Sequence, residues 1–278
     1  MKKQPIFRSL IALILLGISS SCSKTDSTAA APDYQTAIEA KFKALGWDKD
    51  GHALFNGTGP VKTVGGKGYV QYYTFGTRKT AIYFFNGKGA FAVDTEEMTK
   101  YDALGQDNWG FVVSDPKPTK SGGCSYIEVL RNDGSEGIIT CQNLVDGEVY
   151  KKYNTLNRWD GPLGLPTASV LLTPANATDK GVFGSFQNGT IWHTPTVGAV
   201  ALWGKVLKLY AAIDYERSWL KYPTESCDPN KGDANQSVAF ERGKIGVSAN
   251  GCGNYYSPAG GLRDKDNKVA ASGSSLCY

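Results

Sequence analysis

The chain has 278 residues, with 30 Lys and Arg against 26 Asp and Glu and two His. Three of the basic residues, Lys2, Lys3 and Arg8, fall in the first 21 positions, which hold no acid, so the remainder carries a charge near +1. That is too little positive charge for phosphate-driven nucleic-acid binding. His52 and His193, with no CxxC spacing, argue against a protein-held metal or any metal-like cofactor.

Residues 1–21 read as a targeting segment: a basic start, a mostly apolar run over 6–18, then Ser19-Ser20-Ser21 as small residues at a cleavage site. The run is too short to be a comfortable permanent span. Cys22 follows directly. The arrangement resembles a bacterial lipoprotein signal, although Ser19 stands where Leu is usual. The resemblance implies that Cys22 becomes the acylated first residue, and Ser23-Lys24-Thr25-Asp26 is similar to the export tag of Bacteroidetes-type surface lipoproteins. The expected location is therefore exported and lipid-anchored to the cell envelope, at the outer membrane. Residues 22–34, rich in Ser, Thr and Ala, read as a flexible tether.

From there one pattern recurs about every 55 residues. It opens on a triplet at helical spacing: Ile38/Phe42/Leu45, Glu97/Tyr101/Leu104, Val149/Tyr153/Leu156 and Val206/Tyr210/Ile213, with Met98 beside the exceptional Glu97. Asp94 or Thr95, and Asp146 or Gly147, are suited to start the second and third helices. A loop then reaches Pro60, Pro118, Pro166 or Pro223, where any helix must end. A β-hairpin closes each pass, anchored on Ile82, Ile138, Ile191 and Ile245. Its turn is read at Asn132-Asp133-Gly134 in the second pass and is longer, between Phe75 and Ile82, in the first. Glycine bends follow at Asn86-Gly87-Lys88-Gly89, Asp146-Gly147, Val197-Gly198 and Asn250-Gly251.

A unit of this size cannot bury its own apolar face, so neighbours must cover it. The expected fold is mainly β with short helices: about four helix–loop–β-hairpin repeats in a propeller-like or open circular array. The repeat domain covers 35–257, with units of about 35–93, 94–145, 146–202 and 203–257, and a C-terminal tail over 258–278.

An exported chain favours disulfides. Cys124 and Cys141 flank the hairpin that folds near Asp133 and are expected to pair. Cys227, Cys252 and Cys277 leave room for one more bridge, either Cys227–Cys252 or Cys252–Cys277.

Gly161-Pro162-Leu163-Gly164-Leu165-Pro166-Thr167, then Phe186-Gln187-Asn188-Gly189-Thr190-Ile191-Trp192 and Thr194-Pro195-Thr196-Val197-Gly198-Ala199, resemble the LGFP repeat. Leu220-Lys221-Tyr222-Pro223-Thr224 is similar, with Lys221 in place of the glycine. The resemblance holds for residues 146–257 and is only periodic over 35–145. It implies a non-catalytic module of an exported bacterial protein that binds cell-wall or extracellular polysaccharide.

Trp47, Trp109, Trp159 and Trp219 each follow a helix triplet and are the candidate glycan contacts, since indole rings stack on sugars. The competing reading makes them plugs between units. A protein-docking module on the membrane surface, with an envelope protein partner, is the alternative function. A wall hydrolase is disfavoured: His193 lies in a strand motif, and turn acids such as Asp107 and Asp160 are spaced as caps, not as a catalytic pair.

Overall fold

A computed structural model of the chain describes residues 33–49, 56–57, 61–64, 66–105, 109–120, 123–172, 181–271 and 276–277. The targeting segment, Cys22, nearly all of the tether, His52, Pro60 and Asp107 lie outside the described residues. No helix among the described residues is long and apolar enough to cross a membrane.

The protein is mainly β. Four short helices, α1 (Tyr34–Ala44), α2 (Thr95–Ala103), α3 (Gly147–Thr155) and α4 (Gly204–Ala211), are each followed by an antiparallel sheet. Sheet I is built on Gly68–Phe75, Arg78–Phe85 and Gly89–Val93; sheet II on Ser125–Arg131, Glu136–Thr140 and Asn143–Asp146. Sheet III is built on Val182–Ser185, Gly189–Thr194 and Gly198–Trp203; sheet IV on Ser237–Phe240, Gly243–Val247 and Cys252–Tyr256. Short strands extend the edges. Among the described residues all four sheets are open, and neither a closed barrel nor a propeller forms.

Helices of eight to eleven residues are marginal alone. Here sheets hold them: α1 packs on sheet I, α2 lies between sheets I and II, α3 between II and III, and α4 between III and IV. The helix triplets supply the contacts. Val149, Tyr153, Val206 and Tyr210 join Ile138, Ile191 and Ile245 in one core that runs through sheets II, III and IV. A second core joins sheets I and II around Tyr83, Tyr101 and Ile127, and a third sits under α1 around Ile38 and Phe84. Glu97 takes its triplet place as a buried carboxylate that accepts a hydrogen bond from the Ser125 hydroxyl, and Met98 beside it is also buried.

One hydrogen bond recurs. The buried hydroxyls of Tyr101, Tyr153 and Tyr210 donate to the carbonyls of Gly110, Gly164 and Lys221, at 2.8, 2.7 and 2.7 Å. The bonds of Tyr153 and Tyr210 tie each helix to the loop leading into its sheet, and that of Tyr101 ties α2 to the edge strand Gly110–Val112. Next to it, Leu163 lies on the bare backbone of Gly189, where an added Cβ would stand 2.3 Å from Leu163 Cδ2. Leu220 lies over Gly243 in the same way.

Several turns differ from their sequence reading. The first hairpin turns tightly at Gly76-Thr77, because Phe75 pairs with Arg78 and the strand runs unbroken to Phe85. Asp146-Gly147 is no bend within a sheet: Asp146 is the N-cap of α3, with its carboxylate bound to Arg131 at 2.7 Å. The bend of sheet II is Cys141-Gln142, both at positive φ, between the paired Thr140 and Asn143. Ladder positions counted back from Asp94, Asp146 and Trp203, which each precede a helix, align Ile82 and Ile191 with Ile139 instead of Ile138. Asp94 caps α2 by accepting from the Thr95 N–H.

Cys124 and Cys141 form a disulfide, with Cα atoms 5.3 Å apart. Cys252 is also disulfide-bonded, and strand pairing sets Cys277 directly opposite it. Cys227, one of the expected bridge partners, is instead a free, buried thiol, its sulfur 3.8 Å from the Trp203 carbonyl. Burial pushes this thiol up to about 11.

Candidate functional site

The four candidate tryptophans do not share a surface. All are half-buried, Trp47 against the core under α1, Trp109 against the core joining sheets I and II, and Trp159 and Trp219 against the core that runs through sheets II, III and IV. Their rings are already engaged. Trp47 meets Phe42 and Tyr73, Trp109 lies under the Arg131 guanidinium, and Trp159 packs on Tyr126 with centroids 4.7 Å apart. The Trp219 indole Nε1 is buried with no hydrogen-bond partner.

Nor do they fill one repeated position. Asn157 and Asp214 both take left-handed backbone four residues after the anchoring Tyr153 and Tyr210, followed by Arg158 and Tyr215 at φ +50 and +53°. Aligned there, Trp159 corresponds to Glu216, and Trp219 to Pro162. Trp109, one residue before the Gly110 carbonyl that accepts from Tyr101, stands where Leu163 and Leu220 stand.

The structure draws attention to other residues. A cleft of about 470 Å³ opens where sheet II meets α3, with Lys88 and Phe91 of sheet I on its rim. Sheet II contributes Glu128 and Glu136; α3 and the turn after it contribute Tyr150, Asn154 and Arg158. Glu128 and Glu136 lie on one face because Glu128 pairs with Ile138 and Leu130 with Glu136. Arg158 organises this wall. Its guanidinium donates to Asn154 Oδ1 at 2.6 Å and to the Tyr150 hydroxyl at 2.8 Å. It also sits 5.5 to 5.7 Å from the Tyr126, Tyr150 and Trp159 rings. Glu128 is drawn between Lys117 at 3.2 Å and Arg158 at 4.0 Å. Burial, against the opposing pull of Arg158 and with smaller contributions from Glu128 and Glu136, raises the Tyr150 hydroxyl above its ordinary value. Glu136 and Lys88 form no ion pair among the described residues, so a carboxylate and an ammonium stand ready at the rim.

A smaller cleft of about 220 Å³ lies one layer further on, where sheet III meets the 3-10 turn Tyr215–Arg217. It is lined by Phe183, Ser185, Thr190, Trp192, Tyr215, Glu216 and Arg217.

Residues 163–218 match the LGFP repeat. The LGFP match begins on Leu163-Gly164-Leu165-Pro166, takes in sheet III and α4, and holds all the residues of the smaller cleft. It covers 56 of 278 residues, and the larger cleft lies outside it. No curated protein matches the chain.

His193 and Asp160, weighed for hydrolysis, do not meet. His193 sits in the strand Gly189–Thr194 and Asp160 ends the 3-10 turn Arg158–Asp160, near Lys120 at 3.8 Å. Among the described residues no group of three or more His, Cys, Asp or Glu is placed to hold a metal. The sequence reading missed Glu136, Asn154 and Arg158. Each is an ordinary surface residue type, and only the pairing of sheet II with α3 assembles them. The recurring Asn157-Arg158 and Asp214-Tyr215 positions carry no composition signal of their own.

Proposed function

We propose that the protein is a non-catalytic envelope lipoprotein that binds cell-wall or extracellular glycan through an array of four related helix–sheet units. The cleft between sheet II and α3 carries the reading. A half-exposed Phe91 offers an apolar face, while Glu136, Asn154, Tyr150 and Lys88 offer planar or mobile hydrogen-bonding groups suited to adjacent sugar hydroxyls. Much of this polar edge is fixed in advance, because Arg158 holds Asn154 and Tyr150, and so little is lost in ordering it on binding. The targeting segment and Cys22 support export and lipid anchoring, and the LGFP match supports membership of an exported bacterial array.

The test is co-sedimentation of the full-length protein with isolated cell walls and insoluble polysaccharides across a salt series. Retention that survives salt, is competed by soluble oligosaccharide and is lost in Glu136→Gln/Asn154→Ala is the expected result. Both positions are exposed, so the variant should keep its fold. No retention on any glycan would sink the reading and favour docking to an envelope protein. Metabolic fatty-acid labelling that disappears in Cys22→Ser tests the anchor.

A further inference from the structure

We infer that the smaller cleft, between sheet III and the turn Tyr215–Arg217, is a second binding site that takes a single uncharged hexopyranose ring. It rests on the proposed glycan reading for ligand class only, and uses none of the residues of the larger cleft.

The first observation is chemical. One face of sheet III places Phe183 opposite Trp192 and Ser185 opposite Thr190, so two aromatic rings and two hydroxyls share a wall. Tyr215 closes the other side, tilted against Trp192 with centroids 6.1 Å apart and set edge-on to Tyr210 at 5.6 Å. Sugar rings present C–H groups on a face and hydroxyls at the edge. Aromatic side chains with hydroxyl and carboxylate neighbours match that pattern, and Glu216 supplies the carboxylate.

Size is the second. At about 220 Å³ the cleft falls below the roughly 300 Å³ at which pockets for drug-sized ligands begin. It has room for one sugar ring within its walls.

The third is conformational. Asp214 and Asn157 tolerate the left-handed region, whereas Tyr215 and Arg158 after them rarely adopt it. The chain carries this strain at two matching places, and both strained side chains line a cleft.

The two clefts differ in what they can select. Arg158, Glu136 and Lys88 make the larger one ionic, whereas in the smaller one the wall is aromatic, and of its two charged lining residues Arg217 is already paired with Asp214 at 3.4 Å.

The experiment is saturation-transfer NMR on the full-length protein with methyl glucoside, methyl galactoside and methyl mannoside as probes. Transfer to the ring C–H protons of at least one glycoside is expected. It should fall about tenfold in Tyr215→Ala, persist in Tyr215→Phe, and be untouched in Lys265→Gln, an exposed position outside both clefts. Ser185→Leu, which fills the cleft from the strand side, should abolish it and serves if Tyr215→Ala fails a circular-dichroism check of folding. Absence of transfer from all three probes, or transfer that survives both cleft variants, overturns the inference. Loss of polysaccharide retention with monosaccharide transfer intact would instead sink the larger-cleft reading alone.

Discussion

The Tyr153 hydroxyl donates to the Gly164 carbonyl at 2.7 Å, from inside a core where the residue is wholly buried. Tyr210 and Lys221 repeat the relationship 57 residues later. The bond fixes the distance between a helix and the loop that begins its sheet. Tyr153→Phe and Tyr210→Phe keep the ring but leave a buried carbonyl without its donor, so each should cost about 1–2 kcal/mol. Urea unfolding monitored by circular dichroism measures this. A cost near zero would mean that water replaces the hydroxyl. Phe42, at the matching place in α1, already lacks the group.

Lys221 offers the opposite test. Its φ is +59°, while Gly164, at the matching position, is at +72°. Lys221→Gly removes left-handed strain and gives back some unfolded-chain entropy, for a net gain of about 0.5–1 kcal/mol. The Tyr210 bond uses the backbone carbonyl and survives the change. A lower unfolding midpoint in Lys221→Gly would show that the lysine side chain carries a contact worth more than the strain.

Trp159→Ala and Trp219→Ala should each destabilise the protein by about 2 kcal/mol, since half-buried indoles packed on a core leave cavities when removed. The double variant therefore needs a thermal-unfolding control before any loss of glycan retention is assigned to lost stacking. Unchanged midpoints would mean that the rings contribute little to packing and are free to serve a ligand.

Alkaline pH should unfold the protein. Burial pushes the Tyr73 hydroxyl up to about 12 and raises Tyr83, Tyr153 and Tyr210 from the ordinary 10.0. In the unfolded chain these groups ionise near 10, while the folded protein holds their protons. The stability is thus fully present below pH 10 and is lost as pH climbs through the folded values. Urea midpoints flat up to about pH 9 and falling steeply above about pH 10 are expected. Tyr153→Phe should soften the fall.

Much of the fold was legible because it rests on local pattern. Triplets such as Val149/Tyr153/Leu156 mark helices by periodicity alone, and Asn132-Asp133-Gly134 marks a turn that brings Cys124 to Cys141. Register was harder. Ile138 and Ile139 are both buried, so hydrophobicity does not say which one matches Ile191. Cys227 misled because its sequence place allows a bridge, while the fold seats it under Trp203, away from Cys252's partner strand. The clefts were illegible for a deeper reason. Glu136 and Arg158 lie on different layers, and no spacing along the chain encodes their meeting.

Sheet IV has α4 on one face, and on the other it turns Ser237, Lys244, Asn254 and Tyr256 outward, with the Lys244 ammonium 4.9 Å over the Tyr256 ring. That face makes the stack self-limiting. A further layer, or a neighbouring molecule, would have to strip water from these groups without returning an apolar contact. End-to-end stacking of copies on that face would therefore bring no apolar gain.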